Sequence, residues 1–258
     1  MAGPIRAFLD TNVLYGNPSL DILLSMSDAP YRLLTPLWNE HVFMELGHHL
    51  PERLKDLDRR EGIELSDTEA SRKARRRLTM MRRAFPDAMV VMDPLEDYPD
   101  SLTYDPDDKA IAVGAISSEA DVLVTENLKH FNVPAIRAFH PLIVQNEADF
   151  LMERFRENPS LMREALIDMC DRHELPPRSL RELTFMMRRQ TELASFADLL
   201  ESDVRDRYRR AIGSMFHTSQ SGQGRDRLGR FTASVHGMDS DLEPPGDWWG
   251  PFGNGPDI

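Results

Sequence analysis

Four short stretches of the chain gather residues able to do chemistry. Asp10 lies in FLDTNVL, Glu45 in VFMELGHHL, Asp107 and Asp108 in DPDDKAIAVGA, and Thr125 and Asn127 in VLVTENLKHF. The carboxylates among them suit Mg2+ or Mn2+, hard cations that take oxygen ligands and keep several waters. Neighbouring residues on one strand point to opposite faces. Acids that share a cation must therefore arrive from different elements, here a strand end, a helix interior and a helix start. Each also has a plainer reading taken singly. An aspartate at a strand end serves a turn, a helical glutamate faces water, and an aspartate before a helix caps it. Their order and spacing carry the weight.

The elements that would position them follow from hydrophobic pattern and breakers. Ile5–Leu9 reads as a buried strand ending at Asp10, and Ser19 opens a helix to about Ser27. Tyr31–Thr35 is a second strand candidate. A helix is expected from Pro36 to about Leu50, with Trp38, Val42, Glu45 and His49 near one face and Pro51 as its punctuation. Ser66–Arg83 reads as a further helix with Leu78 and Met81 inward. Ala88–Met92 is expected as a third strand and the segment from Asp93 to Tyr104 as a loop. Asp107 and Asp108 then open a helix of small residues, Ala110, Ala112, Gly114 and Ala115, suited to close packing on a sheet. Asp121–Thr125 is a fourth strand, and Ala135–Phe139 a fifth.

Strands alternating with helices point to a three-layer α/β/α sandwich around a central parallel sheet, with right-handed crossovers. Ligands of such sheets gather beyond the carboxyl ends of the strands, where Asp10 and Thr125 stand. After about Gln145 the pattern is purely helical. The expected organisation is an α/β domain over 1–144, a helical C-terminal extension over 145–212, and a Gly-, Ser-, Asp- and Pro-rich disordered tail over 213–258. Trp248, Trp249 and Phe252 give that tail a candidate docking motif.

Composition sets outer bounds. Hydrophobic residues make up 41% and charged residues 29%, as in ordinary globular chains. No apolar run approaches the roughly 20 residues that span a bilayer, so no membrane association is expected. MAGPIRAFLDTN has no signal-peptide stretch, and the expected location is cytoplasmic. The one cysteine, Cys170, rules out an internal disulfide and a cysteine-based zinc cluster and reads as a core thiol. A net charge of −12 argues against broad phosphate binding. The run Arg72, Lys73, Arg75, Arg76, Arg77, Arg82 and Arg83 is a local exception, able to grip a nucleic-acid backbone or simply to face solvent.

In order and spacing, LDTNVL, the helix around Glu45, DPDD before its small-residue helix, and VTEN followed by HF resemble the PIN domain, and within it the VapC-like bacterial toxins. The resemblance covers roughly residues 5–140. It implies a Mg2+- or Mn2+-dependent endoribonuclease with Asp10, Glu45 and Asp108 as the first three metal-binding acids and Asp107 as the neighbouring candidate. Asn127 stands where many members carry a further aspartate, and an amide adds no charge there. Thr125 and Asn12 match the polar residues that orient carboxylates or solvent. The resemblance further implies an RNA substrate, a small antitoxin partner in a type II toxin–antitoxin pair, and a homodimer. Two other readings compete. A phosphatase with a second catalytic aspartate two residues after Asp10 is disfavoured, because that position is Asn12. A catalytically weak PIN-fold scaffold for protein or RNA is the alternative that Asn127 and the negative charge favour.

Overall fold

Ala7, Phe8 and Leu9 expose none of their surface, the signature of a strand covered on both faces. They belong to β1 (Ile5–Leu9). The computed structural model describes residues 3–16, 18–60, 64–172, 177 and 179–221. Within it, β1 is central in a four-stranded sheet of order β2-β1-β3-β4, with every pairing parallel. β2 (Leu34–Leu37) and β4 (Ile143–Gln145) form the edges, and β3 (Val122–Val124) is the second central strand. Parallel neighbours need long crossovers. These hold α1 (Ser19–Ser27), α2 (Glu40–Arg60), α3 (Asp67–Ala84), α4 (Lys109–Ser117) and the short α5 (Val133–Arg137), which flank the sheet in the expected α/β/α arrangement.

Four expected elements come out differently. The strand expected at Ala88–Met92 is a single bridge, in which Trp38 donates to Ala88 and Val90 donates back to Trp38, both at 2.9 Å. The chain then leaves the sheet edge, and Val91 is 92% exposed, so there is no face to bury. The strand expected at Ala135–Phe139 is α5 instead, started by the Asn132 side chain accepting from Ala135 and by Pro134 in its first turn. β2 begins three residues after Tyr31 and ends two after Thr35, and Pro36 lies inside it. Proline is tolerated there because β2 is an edge strand. α2 accordingly begins at Glu40, with Asn39 Oδ1 accepting from Val42 at 3.0 Å.

α2 also runs straight through Pro51. Proline there forfeits one backbone bond, to Gly47. Burial of Leu50 and Leu54 against Ala74 of α3, with Leu65 beside them, outweighs the loss. α3 starts with a reciprocal capping box between Ser66 and Glu69, and buries Ala70, Ala74 and Met81, while Leu78 is only partly covered.

α6 (Glu147–Glu157), α7 (Pro159–Asp171) and α8 (Leu180–Arg188) follow, and α7 packs on α1. Residues 1–197 form one compact unit, so these helices share it with the sheet. Cys170 is buried in α7, and burial pushes its thiol up to about 12. Residues 198–258 form a second unit, whose described part is the later run of α9 (Ala194–Ser221). That helix continues through Gly213, where the low-complexity composition begins. The rest of the tail, with Trp248, Trp249 and Phe252, lies outside the described residues. No helix among the described residues is long and apolar enough to cross a membrane.

α4 lies so close to β1 that a Cβ at Gly114 would stand 2.5 Å from Asn39 Nδ2 and 2.8 Å from Phe8 Cζ. Gly114→Ala is therefore expected to destabilise the fold by about 1–3 kcal/mol, as overpacking does. Chemical denaturation measures this, and an unchanged midpoint would contradict the packing.

Glu147, first in α6, is buried; the Ser19 hydroxyl bonds its carboxyl, and among the described residues Oε1 has no hydrogen-bond partner. Burial raises its pKa from 4.5 to about 8, with Glu126 and Glu192 adding to the shift. The folded state then holds one more proton than the unfolded state between those values, so stability falls as pH rises through that window. Glu147→Gln removes the titration and should flatten this part of the pH–stability curve, raising the melting temperature most at pH 8 and above. Parallel curves for the two proteins would refute the assignment.

Candidate metal centre

The parallel register sets Leu9 beside Val124, so Asp10 and Thr125 emerge side by side at the carboxyl ends of β1 and β3. The chain turns to β2 on one side of β1 and reaches β3 on the other, which makes this gap the switch point of the sheet. Asp10 is 3% exposed and surrounded by donors. Its Oδ2 accepts from Thr125 Oγ1 at 2.6 Å and Asn12 Nδ2 at 2.7 Å, and its Oδ1 from the Thr11 N–H at 2.6 Å. Asn12 also donates to Thr125 Oγ1 at 3.1 Å and accepts from the Glu126 N–H at 3.1 Å. Asn12 thus ties the turn after β1 to the turn after β3.

Thr11 reaches the other way. Its hydroxyl donates to Glu45 Oε2 at 2.5 Å, holding α2 against the same turn. His41, one helical turn before, has Nε2 3.7 Å from Glu45 Oε1. Asp108 stands at the cap position of α4 without capping it by its side chain. Its Oδ2 is instead 2.7 Å from His130 Nδ1, with Asp105 3.6 Å from the same nitrogen. Asp105 in turn accepts from the Asp107 N–H at 3.1 Å. Among the described residues, Asp105, Asp108 and His130 bring their ligand atoms within 4.8 Å of one another.

The expected convergence of Asp10, Glu45 and Asp108 is electrostatic in this geometry. Asp10 is raised from 3.8 to about 6, first by burial and then by the fields of Asp108 and Glu45, against the lowering effect of Thr125 and Thr11. Burial also raises Asp108, with Asp105 and Glu45 adding to it and His130 opposing it. The tight ligand group instead joins Asp108 to Asp105 and His130. Asp107 is exposed and has no side-chain partner among the described residues. Asn127 is half-buried and gives its backbone N–H to Thr125 Oγ1 at 3.0 Å. Thr125 is fully buried and spends its hydroxyl on Asp10, so it positions the carboxylate.

His130, Asp105 and Thr11 escaped the sequence reading. Asp105 is the first acid of DPDD and Thr11 the hydroxyl inside LDTN, so both were within the motifs. His130 follows Asn127 by three residues, and a 3-10 turn over Leu128–His130 swings its ring back to Asp108.

Two observations fit a divalent cation. A carboxyl with three donors whose pKa is still raised, first by burial and then by the charges of Asp108 and Glu45, is in an environment that a cation would relieve. Two carboxylates and an imidazole nitrogen also lie close enough to share one ion. Asp108 belongs to both neighbourhoods.

Comparison with curated proteins and with solved structures gives no significant match. The PIN domain family matches residues 6–129, from β1 through the turn after β3. That span holds Asp10, Glu45, Asp105, Asp108 and Thr125 and ends one residue before His130, so the part of the chain that builds this centre is similar to the PIN domain, a fold of metal-dependent nucleases.

Proposed function

We propose that this chain is a divalent-metal-dependent endoribonuclease hydrolysing RNA phosphodiester bonds, the VapC-like toxin of a type II pair checked by a small antitoxin. The observation that carries the reading is the buried Asp10 carboxyl at the sheet's switch point, in the field of Glu45 and Asp108. Asp10, Glu45 and Asp108 would hold Mg2+ or Mn2+, with Asp105 and His130 beside Asp108. Asp107 remains a candidate only for a solvent-side contact. A bound divalent ion supplies Lewis acidity to the phosphodiester and lowers the pKa of its water.

The chain's own groups do the rest. Thr125 and Asn12 hold Asp10 in one orientation, and Thr11 holds Glu45. His130 Nδ1, 2.7 Å from Asp108 Oδ2, fixes the orientation of that carboxylate. Asn127, held by its backbone N–H to Thr125 Oγ1, adds no charge to this corner. Its side-chain amide is the feature which favours the second reading, a weak or inactive scaffold that binds RNA or protein.

Asp10→Asn separates the two readings. It should abolish Mn2+-dependent cleavage of RNA while the fold persists. In chelator the variant should melt a few degrees higher at neutral pH, because a carboxyl whose folded pKa is about 6 costs stability once it ionises. Wild type should gain about 2.7 kcal/mol at an Mn2+ concentration a hundredfold above its dissociation constant, and the variant far less. A wild type that neither cleaves nor is stabilised by Mn2+ would leave the scaffold reading standing.

A further inference from the structure

A series of contacts and charge interactions crosses the candidate metal centre and has an aromatic residue on each side. At one end the Tyr104 N–H donates to the His130 carbonyl at 2.7 Å, directly before Asp105, and Tyr104 is 71% exposed. His130 meets Asp108, and the field of Asp108 reaches Asp10. Glu45 follows on α2. One turn beyond it His49 is exposed, and one turn further Arg53 is also exposed. Tyr15, five residues after Asp10, closes this end: its ring lies 6.3 Å from that of His49 in an edge-on pair, and the Arg53 guanidinium lies 5.5 Å above it. His48 packs on His49 with rings 4.7 Å apart. Arg77 of α3 donates to the Tyr15 carbonyl, which fixes the turn that carries the ring.

Tyr104, His49 and Arg53 are exposed, and Tyr15 is half-buried with the Arg53 guanidinium over its ring. Arg53 makes no ion pair with a described residue. Stacking of a base on an aromatic ring or guanidinium plane requires an unpaired base, since a duplex keeps its base faces covered. A cation beside such a ring suits the adjoining phosphate.

We propose that Tyr104 on one side, and Tyr15 with His49 and Arg53 on the other, are stacking subsites for the unpaired nucleotides that flank the phosphodiester lying over Asp10 and Asp108. The proposal rests on the nuclease reading and adds which bases the chain holds and where. Single-stranded RNA is therefore the bound form, and its two flanking bases are clasped outside the stack.

The full chain is tested with a short unstructured RNA in Ca2+, so that binding is read without relying on cleavage. Tyr104→Ala, His49→Ala and Arg53→Ala alter exposed side chains, and circular dichroism checks that each is folded. Each should weaken binding about tenfold, the scale of one lost stacking contact. Tyr104→Phe keeps the ring and should restore wild-type affinity. Removing the base at the flanking nucleotide of the RNA should weaken wild type by the same factor and leave Tyr104→Ala no worse. The same sequence as a duplex should bind wild type and variants alike. Unchanged affinity in all three alanine variants, or a wild type that prefers the duplex, overturns the subsites. Wild-type cleavage of the same RNA in Mn2+ is run alongside: cleavage with unaltered variants rejects the subsites alone, whereas tight stacking-dependent binding without cleavage upholds them and rejects the nuclease reading.

Discussion

Asp10 gives up its hydration at the switch point of the sheet, and three donors must replace it. An ionised carboxyl in such a place is tenable only when it is hydrogen-bonded on nearly every side. The donors come from the turn after β1 and from the end of β3, so the site exists only while β1 and β3 keep their register. A shift of one residue would turn Thr125 to the other face of the strand. Thr11 then extends the same arrangement to Glu45, which places α2. The close approach of α4 at Gly114 brings Asp108 within reach. The architecture of the sheet and the ligand geometry are thus one constraint seen at two scales.

A second buried carboxyl shows what happens when donors are too few. Glu147 has the Ser19 hydroxyl and an orphaned Oε1, and is pushed to about 8, whereas Asp10 with three donors stops near 6. At neutral pH the first is mainly protonated and the second mainly charged. The difference follows from hydrogen bonding to the ionised form, since both groups are almost fully buried. Glu126 lies between them in the chain. Its backbone N–H goes to Asn12 in the centre, and its carboxylate accepts from the Glu147 N–H at 3.0 Å. One residue thereby ties the metal-centre turn to the first helix beyond the sheet.

Much of this was legible in the sequence, for identifiable reasons. β3 is wholly apolar and β1 is broken only by Arg6, and Asp10 and Thr125 follow them directly, so the strand ends and the two residues came together. The capping box at Ser66 and Glu69 marks the start of α3. The failures lie where tertiary contact overrode local signal. Pro51 is a strong breaker, yet the packing of Leu50 and Leu54 on Ala74 carries α2 past it. Ala88–Met92 has strand composition, but only one bridge forms before the chain departs. Asn132 and Pro134 turn a short apolar stretch into α5. In the site, the cap position at Asp108 suggested a capping role, and what could not be read was the ring of His130 taking the carboxylate instead. A side-chain pairing 22 residues apart leaves no periodic trace.

A net charge of −12 and four or more acids around the centre repel a polyanion, so the favourable energy of the proposed RNA binding would have to lie elsewhere than in many phosphate contacts. The basic run of α3 supplies less than its count suggests. Arg82 is committed to both carboxylate oxygens of Glu40, and Arg77 is desolvated and holds the Tyr15 carbonyl. Screening confines the rest to within about 8 Å at physiological ionic strength. Contacts to base faces add binding energy without adding a phosphate contact. Binding that rests on them releases few counterions. The slope of log affinity against log salt should therefore be shallow, equivalent to about one or two neutralised phosphates. Titration of a short RNA over increasing salt measures it, and a slope like that of a basic nucleic-acid binder would place the energy in the α3 cations instead.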